Sequence, residues 1–221
     1  MAAFLANVGV NASHGVRSPL SPCGSFTLLP IPEAFPWAEP MLRMGDVPGA
    51  SACVPARWRP RAVHLDPDLV SEQPTYGDNC RLAGRAFSLR RAERGDVIVF
   101  LARLHGPLGA GFYLVGRLEV EEVLADVSGE PGRGWWDLNA HVRRARAWNL
   151  WNGFWLFKGG PGSGLLARAV PFGRRAAETV FGPAWEWPPA RTELQTIGSH
   201  TRAIRRLTDA AEERLRGLVG A

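Results

Sequence analysis

The stretch from Gly95 to Val123, GDVIVFLARLHGPLGAGFYLVGRLEVEEV, constrains the fold more than any other. An apolar run, Val97 to Leu101, opens after Gly95-Asp96, and a Gly/Pro-rich connector follows from His105 to Gly111. A second run, Phe112 to Gly116, passes into the alternating Arg117-Leu118-Glu119-Val120-Glu121. Short β-branched and aromatic runs bounded by Gly and Pro read as two strands of a hairpin. Five consecutive apolar residues leave no polar face, so the first strand is expected to be central and covered on both sides. Gly116 stands inside the second strand, where glycine marks a bulge or the close approach of another backbone or a ligand.

With 221 residues and 46% hydrophobic content, the chain can bury one core, and a single domain over 1–221 is expected. No window approaches the roughly 20 apolar residues of a membrane span. The start, MAAFLANVGVNASHGV, has neither the basic flank nor the long apolar run of a signal peptide. Cys23, Cys53 and Cys80 are odd in number and lack CxxC spacing, so they indicate no disulfide framework and no zinc site. The reading is a cytoplasmic protein with no membrane association and no implied cofactor. The net charge of +5 permits an anionic partner, a nucleotide or nucleic acid. Lys158 is the only lysine; an arginine excess of this kind also follows from a GC-rich genome.

Along the chain, Ala3 to Val10 reads as a buried strand of the same sheet as the hairpin. Asn7, Asn11, Ser13, His14, Ser18 and Ser21 then gather hydrogen-bonding side chains around one Pro-rich loop. Loops on rigid strands are common ligand sites, although such side chains also serve turn backbone. Residues 35–61 form an irregular excursion with one short helical turn. Val63 to Leu69 is a short strand entering an Asp66-Pro67 turn, where Asp66 caps a helical turn or contacts a ligand. Arg81 to Arg94 reads as a modest helix with Leu82, Phe87 and Leu89 as its apolar contacts. Val142 to Leu150 reads as a helix capped by Asp137 or Asn139. A strand follows near Trp155, and Leu165 to Phe172 is extended. Ala203, Ile204, Leu207, Ala211, Leu215 and Leu218 predict a C-terminal helix over about 201–219, capped by Ser199 or Thr201.

No HExxH, Walker loop, GxSxG or post-strand GxGxxG is present, so no catalytic residue is assigned by motif. Asp66, Asp68 and Asp78 are near one another in sequence and fit turns as well as a site. The five histidines are dispersed, and no metal site is indicated unless the fold gathers them. Five of nine tryptophans fall between Trp135 and Trp155, beside His141, Asn149 and Asn152. Aromatic walls with a few polar edges suit a nucleobase, which makes Trp136 and His141 candidate ligand contacts.

The run FLANVGVNASHGVRSPLSPCGSFTLLPIPE resembles the opening of the nucleotide-modification-associated domain family, third of that name. Shared features are the strand, the polar turn, the Ser18-Pro19 pair and the segment Leu29-Pro30-Ile31-Pro32-Glu33. Leu65-Asp66, the Gly95-Asp96 hairpin, Asn139-Ala140-His141 and Phe157-Lys158-Gly159 through Ser163 are similar in order to later blocks of that family. The family's histidine step often carries two histidines, and here only His141 stands there. Members accompany systems that make or handle modified DNA bases. The resemblance therefore implies recognition of a modified nucleotide or nucleobase in a DNA- or RNA-modification pathway. Its rival is an enzyme on such a nucleotide, with His141 or His14 as the acid–base residue and Asp66 as partner; a structural subunit is the third class. The hairpin is also similar to PUA-like domains of the EVE and ASCH branches. That implies an α+β fold around a mixed, partly closed β-barrel with flanking helices. The expected ligand contacts are Asn7, Asn11, Ser13, His14, Ser18, Asp66, Trp136, His141 and Ser163.

Overall fold

A computed structural model describes residues 1–10, 14–33, 36, 41–82, 84–182 and 185–219. Its strands are β1 (Ala3–Val8), β2 (Ser18–Pro19), β3 (Ile31–Pro32), β4 (Val63–His64), β5 (Thr75–Asp78), β6 (Val97–Gly106), β7 (Gly109–Val127), β8 (Phe154–Gly159), β9 (Gly164–Pro171) and β10 (Arg205–Arg206). Its helices are α1 (Ala50–Cys53), α2 (Ala140–Trp148), α3 (Arg174–Phe181), α4 (Glu193–His200) and α5 (Asp209–Val219). Among the described residues no helix is long and apolar enough to cross a membrane.

The predicted hairpin is the centre of an eight-stranded mixed sheet ordered β10-β1-β6-β7-β8-β5, with β2 on β6 and β9 on β7. β1 runs parallel to β6, so the N-terminal strand joins the hairpin's sheet as expected. Asp96 fixes this junction: its buried carboxylate accepts the backbone N–H of Ala2 at 2.6 Å and of Glu93 at 3.1 Å. Alternation along β6 sends Ile98, Phe100, Ala102 and Leu104 into one core cluster and Val97, Val99 and Leu101 into the other. The strand is thus buried on both faces. The second face is covered by residues of α3, α4 and α5, including Ala177, Val180, Ile197, Ala211 and Leu215.

The α+β class stands, but no closed barrel is found among the described residues. Register shifts bend β7 instead of closing the sheet. Phe100 pairs with Gly116 and Leu101 with Leu114, leaving Val115 as the extra residue of a bulge. Gly116 also allows a close approach, since a Cβ there would lie 2.8 Å from the carbonyl oxygen of Gly164. Beyond Val120, β7 pairs with β8.

Two helix expectations are corrected. Residues Gly84–Arg91 form a run of 3₁₀ turns, in which Leu89 is buried and Phe87 faces solvent, as does Leu82 before the run. The C-terminal helix is broken. α4 ends at His200, Arg205 and Arg206 pair with β1, and α5 starts at Asp209. α5, the part of the expected helix that forms, is preceded by Thr208, whose hydroxyl accepts the Ala211 N–H at 3.3 Å, rather than by Ser199 or Thr201. The helical spacing misled because Ile204 and Leu207 pack into different core clusters. A free edge on β1 recruited the segment between them. The excursion expected at 35–61 carries α1 and 3₁₀ turns at Met44–Asp46 and Ala56–Trp58. Met44, Val47, Ala50 and Val54 build a small core there with Leu29 and Val63.

Candidate functional site

A cleft of about 890 Å³ opens where the carboxyl ends of the parallel strands β1 and β6 meet β5, α2 and the turn after α4. Crevices at the carboxyl ends of parallel strands are common ligand sites in sheet proteins. It is lined by Glu33, His64, Asp66 and His141 together with Tyr76, Asp78, Arg85, Arg103, Arg144 and Arg202.

His64 arrives through β3 and β4, a two-residue antiparallel pair in which Ile31 faces His64. The prolines Pro30 and Pro32 hold this segment extended, and Glu33 leaves it beside His64. Glu33 Oε1 lies 3.0 Å from His64 Nδ1. Asp66 stands two positions after His64, and both its carboxylate oxygens accept the Gly77 N–H of β5, at 2.9 and 3.1 Å. It does not cap a helix.

His141 comes from α2, whose start is set by Asn139. That side chain accepts the His141 N–H at 2.9 Å and donates to Thr75 Oγ1 at 3.0 Å, which fastens the helix to β5. The His141 ring packs on Phe154 with centroids 5.4 Å apart. His141 and Arg144, three residues apart, share one helix face and reach the same cleft.

The side chains converge closely. His141 Nε2 lies 3.0 Å from Asp66 Oδ2, His64 Nε2 3.7 Å from the same oxygen, and the two Nε2 atoms 3.3 Å apart. Burial works against a charge on His64. Its contacts with Asp66 and Glu33 outweigh that and raise the imidazole to about 9. Burial likewise opposes ionisation of Asp66, but the bonds from His141 and His64 prevail and lower its carboxyl. These three side chains are a group able to ligate a metal ion. On either side of Gly77 in β5, Tyr76 donates its Oη–H to Asp78 at 3.0 Å, and Asp78 pairs with Arg85 at 3.3 Å. Burial, then the charge of Asp78, pushes the Tyr76 phenol well above its usual range. Among the described residues, no carboxylate pairs with Arg103, Arg144 or Arg202. The Nε atoms of Arg103 and Arg144 are buried without a hydrogen-bond partner there.

Of the residues expected from sequence, Asn7, Asp66 and His141 meet in this cleft. Asn7 Nδ2 donates to Thr201 Oγ1 at 3.2 Å. Ser18 is buried instead, its hydroxyl accepting the Leu29 N–H at 3.1 Å. Ser163 accepts the Glu119 N–H at 2.9 Å and lines a separate hollow with Lys158 and Glu121. His14 is half-buried and does not line the cleft. Trp136 packs beside α2 and β8, with its Nε1 donating to the Gly132 carbonyl at 3.1 Å, so it provides no wall here. Asn11 and Ser13 lie outside the described residues. Sequence reasoning missed His64, Glu33 and the arginines. The signal for His64 was the spacing His64-Leu65-Asp66 in an extended segment, where positions two apart share a face.

A family model described as nucleotide modification associated domain 3 matches residues 3–216. No curated protein and no solved structure matches the chain.

Proposed function

The chain belongs to the nucleotide modification associated domain 3 family, and from that premise we propose that it is an enzyme acting on a phosphate-bearing nucleotide of a base-modification pathway. The observation that carries this reading is the convergence of His64, Asp66 and His141 in a cleft that arginines also line. The volume falls within the ~300–1,000 Å³ of small-molecule sites. A site that only recognises a base needs stacking surface and hydrogen-bonding edges. A buried group of two imidazoles and a carboxylate adds groups that move protons or hold an electrophile, and these serve chemistry.

Arg103 and Arg144 support a phosphate in the ligand. Both residues line the cleft, and a phosphate oxygen accepting from a guanidinium N–H makes a charge-assisted bond stronger than a neutral one. Arg202 at the rim adds charge. In this reading the arginines hold the phosphate, Asn7 and Tyr76 face the sugar or base, and His64, Asp66 and His141 face the reacting group.

Calorimetric titration with nucleosides, nucleoside monophosphates and short oligonucleotides tests the proposal. Phosphorylated ligands are expected to bind at least tenfold more tightly than the nucleosides, about 1.4 kcal/mol. Arg103→Met and Arg144→Met should remove that preference. Equal binding of both classes, or no binding at millimolar concentration, overturns it. Mass spectrometry of the incubated ligand separates an enzyme from a recognition module, which would return every ligand unchanged.

A further inference from the structure

We propose that His64, Asp66 and His141 form a binding site for one first-row divalent transition-metal ion, of the zinc type. Ion binding goes beyond the nucleotide reading and is measurable without any nucleotide.

The geometry of the three atoms carries the inference. His141 Nε2, His64 Nε2 and Asp66 Oδ2 form a triangle with edges of 3.0, 3.3 and 3.7 Å. A triangle of this size has a point about 2 Å from every corner, within the roughly 2.0–2.2 Å of zinc bonds to imidazole nitrogen and carboxylate oxygen. Three ligands of a tetrahedral ion at that bond length stand about 3.3 Å apart, close to the edges observed. All three atoms lie within 3.7 Å of one another, and a single ion at their centre would meet all three at once, whereas a proton on one atom serves one contact.

The surroundings match what such a site requires. Glu33 Oε1 stands 3.0 Å from His64 Nδ1, so a proton on Nδ1 leaves the Nε2 lone pair for the ion. The Gly77 N–H bonds both oxygens of the Asp66 carboxylate and so fixes its position. Asn139 fixes the start of the helix that carries His141. The side chains of His64, Asp66 and His141 are 12%, 3% and 16% exposed, and they line the open cleft. The ion therefore has an access path and a side on which water or substrate can complete its coordination. Two imidazole donors favour a transition ion over magnesium or calcium, which prefer oxygen.

The test uses tag-free full-length protein, stripped with a chelator and titrated with zinc and cobalt(II) in the absence of nucleotide. One equivalent should bind per chain. Cobalt should develop visible d–d bands, and X-ray absorption of the zinc form should show two imidazoles with oxygen neighbours. His141→Ala and Asp66→Asn should each weaken binding by at least a hundredfold. Glu33→Gln should weaken it ten- to a hundredfold, the usual effect of an outer partner. Wild-type protein that binds no ion saturably, or an absorption spectrum without imidazole ligands, overturns the proposal whether or not the variants fold. Unchanged zinc affinity in folded His141→Ala does so as well. Loss of ion binding with nucleotide binding retained would sink this inference and leave the role of the arginines standing; the reverse would sink the nucleotide reading alone.

Discussion

Gly77 and His141 lie closer together than any other residue at position 77 would allow. A Cβ on Gly77 would stand 2.6 Å from His141 Cδ2 and 2.8 Å from Leu156 Cδ2. The same glycine donates its N–H to Asp66, so one position of β5 sets two of the three converging side chains. Gly77→Ala is expected to cost about 1–3 kcal/mol, the range for inserting a methyl into a packed interior. It should also displace the imidazole and abolish the cobalt bands. A variant with wild-type denaturation and an unchanged cobalt spectrum would show that the two elements yield without strain.

Asn139→Ala removes an N-cap and a tie between α2 and β5 in one change. A lost cap costs roughly 0.5–2 kcal/mol. The loss of the Thr75 partner places the expected value at the upper end of that range. Zinc affinity should fall with it although Asn139 touches no ion. Urea denaturation and zinc titration of the same variant measure both effects, and a variant with weakened stability but undiminished zinc affinity would mean that His141 is held by its Phe154 contact instead.

The cysteines should separate by chemistry. Hydrogen bonds from Ser21 and then Ser25 lower the exposed Cys23 thiol to about 6. Burial, then the charge of Asp78, pushes Cys80 up to about 12. The thiolate is the reactive form, and it accumulates as pH rises through the thiol's own value. Iodoacetamide at pH 7 should therefore modify Cys23 in the native protein and spare Cys80 until the chain unfolds. The Cys23 rate should reach half its plateau near pH 6, and Ser21→Ala should move that midpoint upward. A midpoint at the ordinary thiol value in the wild type would disprove the assignment.

Phe100 is fully buried in β6 and meets Tyr76 edge-on at 5.1 Å between ring centroids. Phe100→Ala should cost about 3–5 kcal/mol in chemical denaturation. A loss below about 1 kcal/mol would mean that the centre of the sheet repacks around the cavity.

The residues that could be read in advance were those whose partners are local or whose pattern admits one solution. Val97 to Leu101 has no polar face, so it had to be covered on both sides. Asn139 precedes an amphipathic stretch and caps it. The C-terminal segment was misread because i, i+3 spacing at Ile204 and Leu207 is equally satisfied by a strand edge that sends them to different clusters. The site was half legible. Asp66 and His141 stood out through the family resemblance, whereas His64 depends on a two-residue ladder with Ile31 that no periodicity announces. The tryptophans between 135 and 155 drew attention as a wall, but Trp136 faces its own loop.

His64 and Asp66 precede the β6–β7 hairpin in the chain, and His141 follows it. An ion held by all three is therefore a cross-link, closing a loop that contains the two central strands. Closing a long loop removes conformational freedom from the unfolded chain, and metal clips act in this way as disulfides do. While the ion is bound, the ends of that loop part only after a ligand lets go. Chelation should then loosen the hairpin in hydrogen exchange, although neither strand supplies one of the three candidate ligands.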